Sequence, residues 1–162
     1  MKKSVLFVIA ALLQSGISLS SNTPNVRFSR ATLPVLSGED YNHIGFVRLI
    51  KDSGTDNRVT GVSYSFKGTD CLGNVESVSL YESDSKGRIN KERLVAISDV
   101  ISENGHFRIN FQMKTDTCYL AFTVKADKDI PLQGRVNLNC TDITFDNGKV
   151  TVWGRDVTAA EV

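Results

Sequence analysis

Residues 106–113 read HFRINFQM, and this stretch is the clearest guide to the fold. Apolar and polar side chains alternate along it with a strict period of two. The apolar positions are Phe107, Ile109, Phe111 and Met113. Such alternation is typical of an antiparallel β-strand that turns one face to a core and the other face to solvent.

Similar stretches recur on both sides of this strand, separated by clusters of Gly, Asn, Asp and Ser. Asn147-Gly148 predicts a hairpin turn, because both residue types accept a positive φ. Residues 89–98 are the one helical candidate, and their pattern is too mixed to support a helix. The predicted strands lie near residues 26–36, 43–51, 58–66, 74–82, 92–98, 106–113, 117–126, 135–144 and 148–153.

These strands follow one another without the alternating helices that parallel sheets need. An all-β fold is therefore predicted, with about nine strands in a two-sheet antiparallel β-sandwich of the jelly-roll kind. We expect this sandwich to form a single domain over residues 21–162.

The composition limits the classes of function. The chain has 162 residues, of which 41% are hydrophobic and 23% charged, and its formal net charge is +1. A chain of this length can bury a substantial core, and its apolar content is too high for a disordered protein. The near-neutral charge excludes the strongly basic surface that nucleic-acid binders carry.

Residues 1–20 have the pattern of a secretory signal peptide. Met1-Lys2-Lys3 is basic, and residues 4–13 are an apolar run shorter than the roughly 20 residues needed to cross a bilayer. Small side chains follow, which predicts cleavage near Ser20. The mature chain has no second apolar stretch of membrane-spanning length, so we expect it to be secreted, periplasmic or held at the cell surface, without membrane insertion.

Three cysteines, Cys71, Cys118 and Cys140, lie beyond this segment, and export would place them where disulfides persist. An odd number allows at most one intramolecular bridge. Cys118 and Cys140 both lie on apolar strand faces, and a bridge between them across a hairpin is geometrically feasible. Three buried thiols are the alternative. The spacing contains no CxxC, so no zinc site is expected.

Catalytic patterns are scarce. His43 and His106 each stand at the start of a predicted strand, where a packing role is commoner than a catalytic one. Residues 84–87 (DSKG) look like a fragment of a calcium loop but lack the acidic ligands of an EF-hand. A structural calcium held by other loops stays an alternative; otherwise no metal or cofactor is expected. By elimination, the chain is predicted to be a binding or scaffolding module and not an enzyme.

Aromatic side chains give the remaining clue. Tyr81 and Tyr119 are out of phase with their apolar neighbours and should face outward. Arg108, Asn110 and Gln112 line the outward face of the strand before that of Tyr119. If these strands are neighbours, the five side chains form one polar patch with aromatic tips. Aromatic rings and hydrogen-bonding groups are what a sugar-binding surface needs, and the guanidinium could meet a carboxylate.

Several segments resemble the N-terminal domain of bacterial BNR-repeat exo-sialidases (neuraminidases), the domain that precedes the catalytic propeller. They are residues 32–36 (TLPVL), 40–44 (DYNHI), 73–81 (GNVESVSLY), 109–126 (INFQMKTDTCYLAFTVKA) and the hairpin that ends at Val150. The order and spacing of these segments carry the resemblance. It implies a β-sandwich that binds host glycans beside a sialidase catalytic domain.

The given residues match no part of the sialidase propeller, so no catalytic residue is carried over. We expect either a stand-alone or truncated relative of the sialidases, or a product split from its enzyme half. Residues 144–151 (TFDNGKVT) copy the Asp-x-Gly spacing of the sialidase Asp box, but they lack its terminal aromatic residue and are interpreted as an ordinary hairpin. The expected partners are glycans, sialylated or galactosyl, and a sialidase catalytic domain or another surface protein. Two alternatives stay open: a structural or protein-interaction module, such as a spacer or an adhesin-like protein, and an enzyme of unknown type.

Overall fold

The computed structural model describes residues 25–31, 35–51, 57–128 and 135–156, so the predicted signal peptide lies outside the described residues. A short 3-10 turn, Leu72–Asn74, precedes the fourth strand. The strands are β1 (Asn25–Arg30), β2 (Asn42–Ile50), β3 (Arg58–Ser65), β4 (Val75–Ser83), β5 (Ile89–Ser98), β6 (Asn104–Gln112), β7 (Thr117–Ala126), β8 (Asn139–Phe145), β9 (Gly148–Thr151) and β10 (Trp153–Asp156).

The strands form two sheets, which confirms the predicted all-β sandwich. The large sheet has the order β10-β1-β2-β7-β4-β5, and the small sheet has the order β6-β3-β8-β9. Antiparallel pairing joins β2 to β7, β3 to β6 and β4 to β5, as in a rolled-up jelly roll. Strand β1 departs from the jelly-roll pattern, because it pairs antiparallel with β2 and parallel with β10.

Most strand positions agree with the sequence prediction, and β7 coincides with it. The mixed segment 89–98 is strand β5. The last predicted strand, 148–153, is divided into β9 and β10 at Val152. The side chain of Val152 is buried, and its N–H donates to the carbonyl of Thr141 at 2.8 Å. The chain passes from the small sheet to the large sheet at this point.

Four aromatic rings join the two sheets in the core. Phe122 of β7 is fully buried, and its ring centroid lies 6.0 Å from that of Phe28 on β1. From the small sheet, Tyr64 and Phe107 approach the same ring, with centroids at 6.0 and 6.5 Å. Aromatic pairs at these separations add to the stabilisation from the apolar area they bury. Phe122 therefore holds the two sheets together.

A glycine permits close packing inside the large sheet. A Cβ added at Gly45 would lie 2.6 Å from the carbonyl oxygen of Ser29 and 2.7 Å from Cζ of Phe28. The register of β2 against β7 shifts between His43 and Gly45, which marks a β-bulge. The small residue at the bulge therefore leaves room for the Phe28 ring beside the strand.

Of the two alternatives for the cysteines, the structure contradicts the Cys118–Cys140 bridge. Cys118 lies on β7 in the large sheet and Cys140 on β8 in the small sheet, so the two strands do not form a hairpin. All three thiols are free. Both cysteines do contact the core, as the alternation of their strands predicts, and Cys140 is 2% exposed. Burial raises the pKa of the Cys140 thiol.

We expect Phe122→Ala to lower the free energy of unfolding by about 3–5 kcal/mol, because it removes a ring that touches both sheets. Urea denaturation followed by tryptophan fluorescence measures the loss. Phe122→Leu is the matched control and should lose clearly less, since it keeps most of the side-chain volume. Equal losses in the two variants would contradict this account of the core.

The thiols give a second test. Thiol titration of the unfolded chain should count all three cysteines without a reductant. In the folded protein Cys140 should react far more slowly than Cys71 and Cys118, because it is buried and its pKa is raised. A count of one thiol in the unfolded, unreduced chain would show that a disulfide forms after all.

Candidate functional site

The five predicted site residues do not form one patch. Tyr81 and Tyr119 lie on β4 and β7 of the large sheet, whereas Arg108, Asn110 and Gln112 lie on β6 of the small sheet. β6 pairs with β3, and β7 pairs with β2 and β4. The expectation that β6 and β7 are neighbours is therefore wrong. Residues 113–116 between them carry the chain from one sheet to the other.

The outer face of the small sheet is polar. Arg108 and Asn110 are exposed, and Gln112 accepts a long hydrogen bond from Nε of Arg58 at 3.4 Å. On the same sheet, Oγ of Ser63 lies 3.0 Å from Nδ1 of His106.

Among the described residues, no carboxylate completes a catalytic triad with this serine–histidine contact. The carboxylate in the same row, Asp142, stands opposite Ser63 on β8 and not beside His106. Its oxygens bind Nζ of Lys149 at 3.2 Å and Oγ1 of Thr151 at 3.3 Å. Within the described ranges, the imidazole of His106 therefore has no carboxylate placed to orient it as the base of such a triad.

The outer face of the large sheet is aromatic. Its strands bring Phe46, Ala121, Tyr81 and Leu94 into one cross-strand row. We use the name aromatic face for five side chains on this side of the sheet. They are Tyr41, His43, Phe46, Tyr81 and Tyr119. The centroid of Phe46 lies 6.2 Å from that of Tyr119 and 6.3 Å from that of His43.

Tyr81 is the most buried ring of the aromatic face, and Tyr41 packs against it. Its strand alternates, with Val78 and Leu80 in the core and Tyr81 on the other side, as predicted. Nevertheless Tyr81 is only 8% exposed, because Tyr41 packs edge-on against it at 5.9 Å. This burial, helped by the nearby Tyr41, raises the pKa of Tyr81.

Tyr41 is the most exposed ring of the aromatic face, with 39% of its surface exposed. The ammonium of Lys91 lies 4.3 Å from its centroid, a cation–π distance. The sequence analysis missed Tyr41, because it lies in a turn where no alternation indicates a face. The signal available was its position one residue before Asn42, the first residue of β2.

Asn42 fixes the turn that carries Tyr41. Its side chain is 7% exposed and makes three hydrogen bonds to backbone groups. Oδ1 accepts from the N–H of Leu36 at 2.7 Å, and Nδ2 donates to the carbonyls of Leu36 and Glu39 at 2.9 and 3.1 Å. A buried amide with its partners in place makes this turn part of the rigid scaffold.

A second turn, residues 84–88, closes the other side of the aromatic face. Oδ1 of Asp84 accepts hydrogen bonds from the N–H groups of Lys86 and Arg88 at 2.9 and 3.0 Å, and Oδ2 accepts from Nε of Arg88 at 2.6 Å. These bonds, above all that from the Arg88 backbone, lower the pKa of Asp84. The fragment that looks like a calcium loop thus uses its aspartate to organise a turn.

Gly87 brings this turn onto the rings. Its φ is +77°, and a Cβ there would lie 2.6 Å from Cδ1 of Phe46 and 3.0 Å from Cε1 of His43. Only glycine meets both requirements at low cost. Beneath it, burial lowers the pKa of His43, and the carbonyl of Gly45 partly offsets this effect. Nε2 of His43 is buried and has no hydrogen-bond partner among the described residues.

A shallow cleft of about 580 Å³ adjoins the aromatic face at the β4–β5 hairpin. Lys91 lines this cleft and also contacts the ring of Tyr41. The cleft is lined by Glu82, Ser83, Asp84, Arg88, Ile89, Asn90, Lys91 and Glu92. In the described ranges, no group of three or more His, Cys, Asp or Glu side chains could hold a metal ion. The same part of the chain contains no helix long and apolar enough to cross a membrane.

The architecture defines a β-sandwich module with an aromatic surface on one sheet. No protein-family model and no curated protein matches the chain. Among solved structures, the chain is similar to the Hadza microbial sialidase Hz136, with a TM-score of 0.66 and 14% sequence identity. The match covers 80% of this chain and 31% of that protein.

The resemblance to sialidases that the sequence carries is thus confirmed at the level of the fold. This chain spans less than a third of the sialidase it matches, and the part that matches is a sandwich and not a propeller. The likeness therefore relates the chain to a non-propeller region of a sialidase.

His43 makes the stability depend on pH. Its folded-state pKa lies below the usual value of 6.5, so the unfolded chain binds the proton more readily. Stability should therefore be fully present above about pH 6.5 and decline as the pH falls towards the lower folded-state pKa. Urea denaturation at pH 7.5 and pH 5.5 measures this decline.

His43→Gln should flatten this dependence, whereas His106→Gln, on the opposite sheet, should keep it. The same decline in wild type and in His43→Gln would assign the effect to other groups.

Proposed function

We propose that this chain is a secreted, non-catalytic module that binds host-type glycans, sialylated or galactosyl, and is related to the N-terminal domain of sialidases. The observation that carries the proposal is the aromatic face. Tyr41, Phe46 and Tyr119 present partly exposed rings on one side of the large sheet, and polar groups surround them. The fold-level likeness to part of a microbial sialidase supports the same class of module.

Sugar chemistry explains why this face is suitable. A pyranose ring has an apolar face of C–H groups that packs on aromatic rings, and its hydroxyls need hydrogen-bonding partners at the edge. Beside Tyr41, the ammonium of Lys91 and the cleft residues Asn90 and Glu92 supply such partners. Such a shallow surface buries little area, so we expect dissociation constants of about a micromolar to a millimolar.

The predicted residues have different roles in this proposal. Tyr119 contacts the sugar, and Tyr81 holds Tyr41 in place. Arg108, Asn110 and Gln112 form a separate polar surface on the small sheet. That surface can donate hydrogen bonds but offers a sugar no ring comparable to Tyr41, so it is the weaker candidate for the glycan site.

The proposed absence of catalysis rests on the chemistry of the described side chains. The serine–histidine pair on the small sheet is not oriented by Asp142, which binds Lys149 and Thr151 instead. On the large sheet, the carboxylates of Asp84 and Glu82 accept contacts from Arg88 and Arg93. The module would hold glycans close to a sialidase catalytic domain or another surface protein.

One observation favours a protein-interaction role as the second candidate. β5 is an edge strand of the large sheet, and its side chains Leu94 and Ile97 are 49% and 59% exposed. Apolar edge strands are sites where another chain can add a strand. A spacer or adhesin-like protein would use this edge and not the aromatic rings.

A glycan array of sialylated and galactosyl oligosaccharides tests the first candidate. For a glycan that binds, Tyr119→Ala and Tyr41→Ala should each weaken binding at least about fivefold, because each removes a ring from the contact. Titration calorimetry measures the change. Thermal melting should show that both variants stay folded, since both rings are partly exposed.

Asn110→Ala, on the small sheet, is the matched variant for the opposite face and should bind as the wild type does. Weaker binding by Asn110→Ala, with both tyrosine variants unaffected, would move the site to the small sheet. No binding by the folded wild type would favour the protein-interaction role.

A further inference from the structure

Two arginines face each other on the outer side of the large sheet. Arg27 of β1 stands opposite Arg48 of β2, and Arg48 stands opposite Tyr119 of β7. The three residues thus form one cross-strand row. The next row of the same face holds Ser29 and Phe46, so the arginines adjoin the aromatic face.

The alternation of both strands turns the arginines outward. In β1, Arg27 is exposed between Val26 and Phe28, which are buried. In β2, Arg48 is likewise exposed, between two fully buried residues of the core. Both guanidinium groups therefore belong to the surface that carries Tyr119.

Like charges directly opposite each other on a sheet are unfavourable, because Cβ atoms of such pairs lie only about 4.5–5.5 Å apart. Some other cations of this protein have acidic partners, such as Arg88 with Asp84, Arg93 with Glu82 and Lys125 with Glu76. Within the ranges that the structure describes, Arg27 and Arg48 have no such partner. An anion between them would remove the repulsion and satisfy both groups.

We propose that Arg27 and Arg48 bind the carboxylate of an acidic sugar whose ring packs on Tyr119 and Phe46. This inference rests on the proposed glycan-binding function and names its ligand as a carboxylate-bearing glycan. A guanidinium matches a carboxylate with two parallel hydrogen bonds, and two guanidinium groups can hold both oxygens. The Phe46 and Tyr119 rings, 6.2 Å apart, flank the same position.

In this proposal the residues that bind the carboxylate are Arg27 and Arg48 and not Arg108. The sequence analysis assigned a carboxylate-binding role to Arg108, which lies on the small sheet, away from the aromatic rings. Arg27 and Arg48 come from strands that are eleven residues apart in the chain, and their pairing follows from the β1–β2 register. The arginine pair and the aromatic rings then act on one ligand from one side of one sheet.

Titration of the purified chain with lactose, sialyllactose and a sulfate ester of lactose tests this inference. The wild type should bind sialyllactose at least about tenfold more tightly than lactose at low ionic strength. This preference should shrink in high salt, because the arginines are exposed. Arg27→Gln and Arg48→Gln should each remove most of the preference.

Arg58→Gln, an exposed arginine of the small sheet, is the matched control and should keep the full preference. Thermal melting gives an independent readout, because removing one of two repelling charges should leave the melting temperature unchanged or raise it. A lower melting temperature in both arginine variants would contradict the repulsion on which the inference is built.

Four other results would overturn the inference. Equal affinity for lactose and sialyllactose, or a preference that survives both substitutions, would refute the arginine site and leave glycan binding in place. Tighter binding of the sulfate ester than of sialyllactose would refute the carboxylate as the ligand. Failure to bind any of the three sugars, together with a blank glycan array, would overturn the proposed function as well.

Discussion

The packing of Phe122 between the two sheets is the interaction on which the rest of the structure depends. Its ring meets Phe28 from the large sheet and Tyr64 and Phe107 from the small sheet. With Phe122 fixed inward, the period of two obliges Tyr119 to project from the opposite side of β7. The same strand therefore contributes Phe122 to the core and Tyr119 to the opposite, outer face, which we propose as the glycan surface.

Local alternation in the sequence predicted the elements and their faces. β7 lies where predicted, and the inward and outward sides of β4, β6 and β7 are correct. Alternation does not specify which strand lies beside which, since the core face looks the same in either sheet. For that reason the sequence could not separate β6 from β7 or exclude the Cys118–Cys140 bridge. Tyr41 and the facing arginines depend on a turn and on a long-range register, which leave no local pattern.

The candidate site combines a rigid sheet with two turns that are fixed by side-chain hydrogen bonds. Asn42 holds the turn with Tyr41, and Asp84 holds the turn whose Gly87 rests on Phe46 and His43. Both anchoring side chains are short and polar, with donors or acceptors matched to the backbone groups around them. Hydrogen bonds thus hold the two turns that flank the rings, and this order lowers the entropy that binding would cost.

The parallel pairing of β1 with β10 has a mechanical consequence. Because the two strands run in the same direction, the start of β1 and the end of β10 lie at opposite ends of the pair. A pulling force applied along the chain at those two points would act parallel to the strands and across all of their hydrogen bonds together. Those bonds would have to shear at once, whereas a hairpin pulled at its open end loses them one by one. The edge of the large sheet would therefore oppose such a force through the simultaneous shear of these bonds.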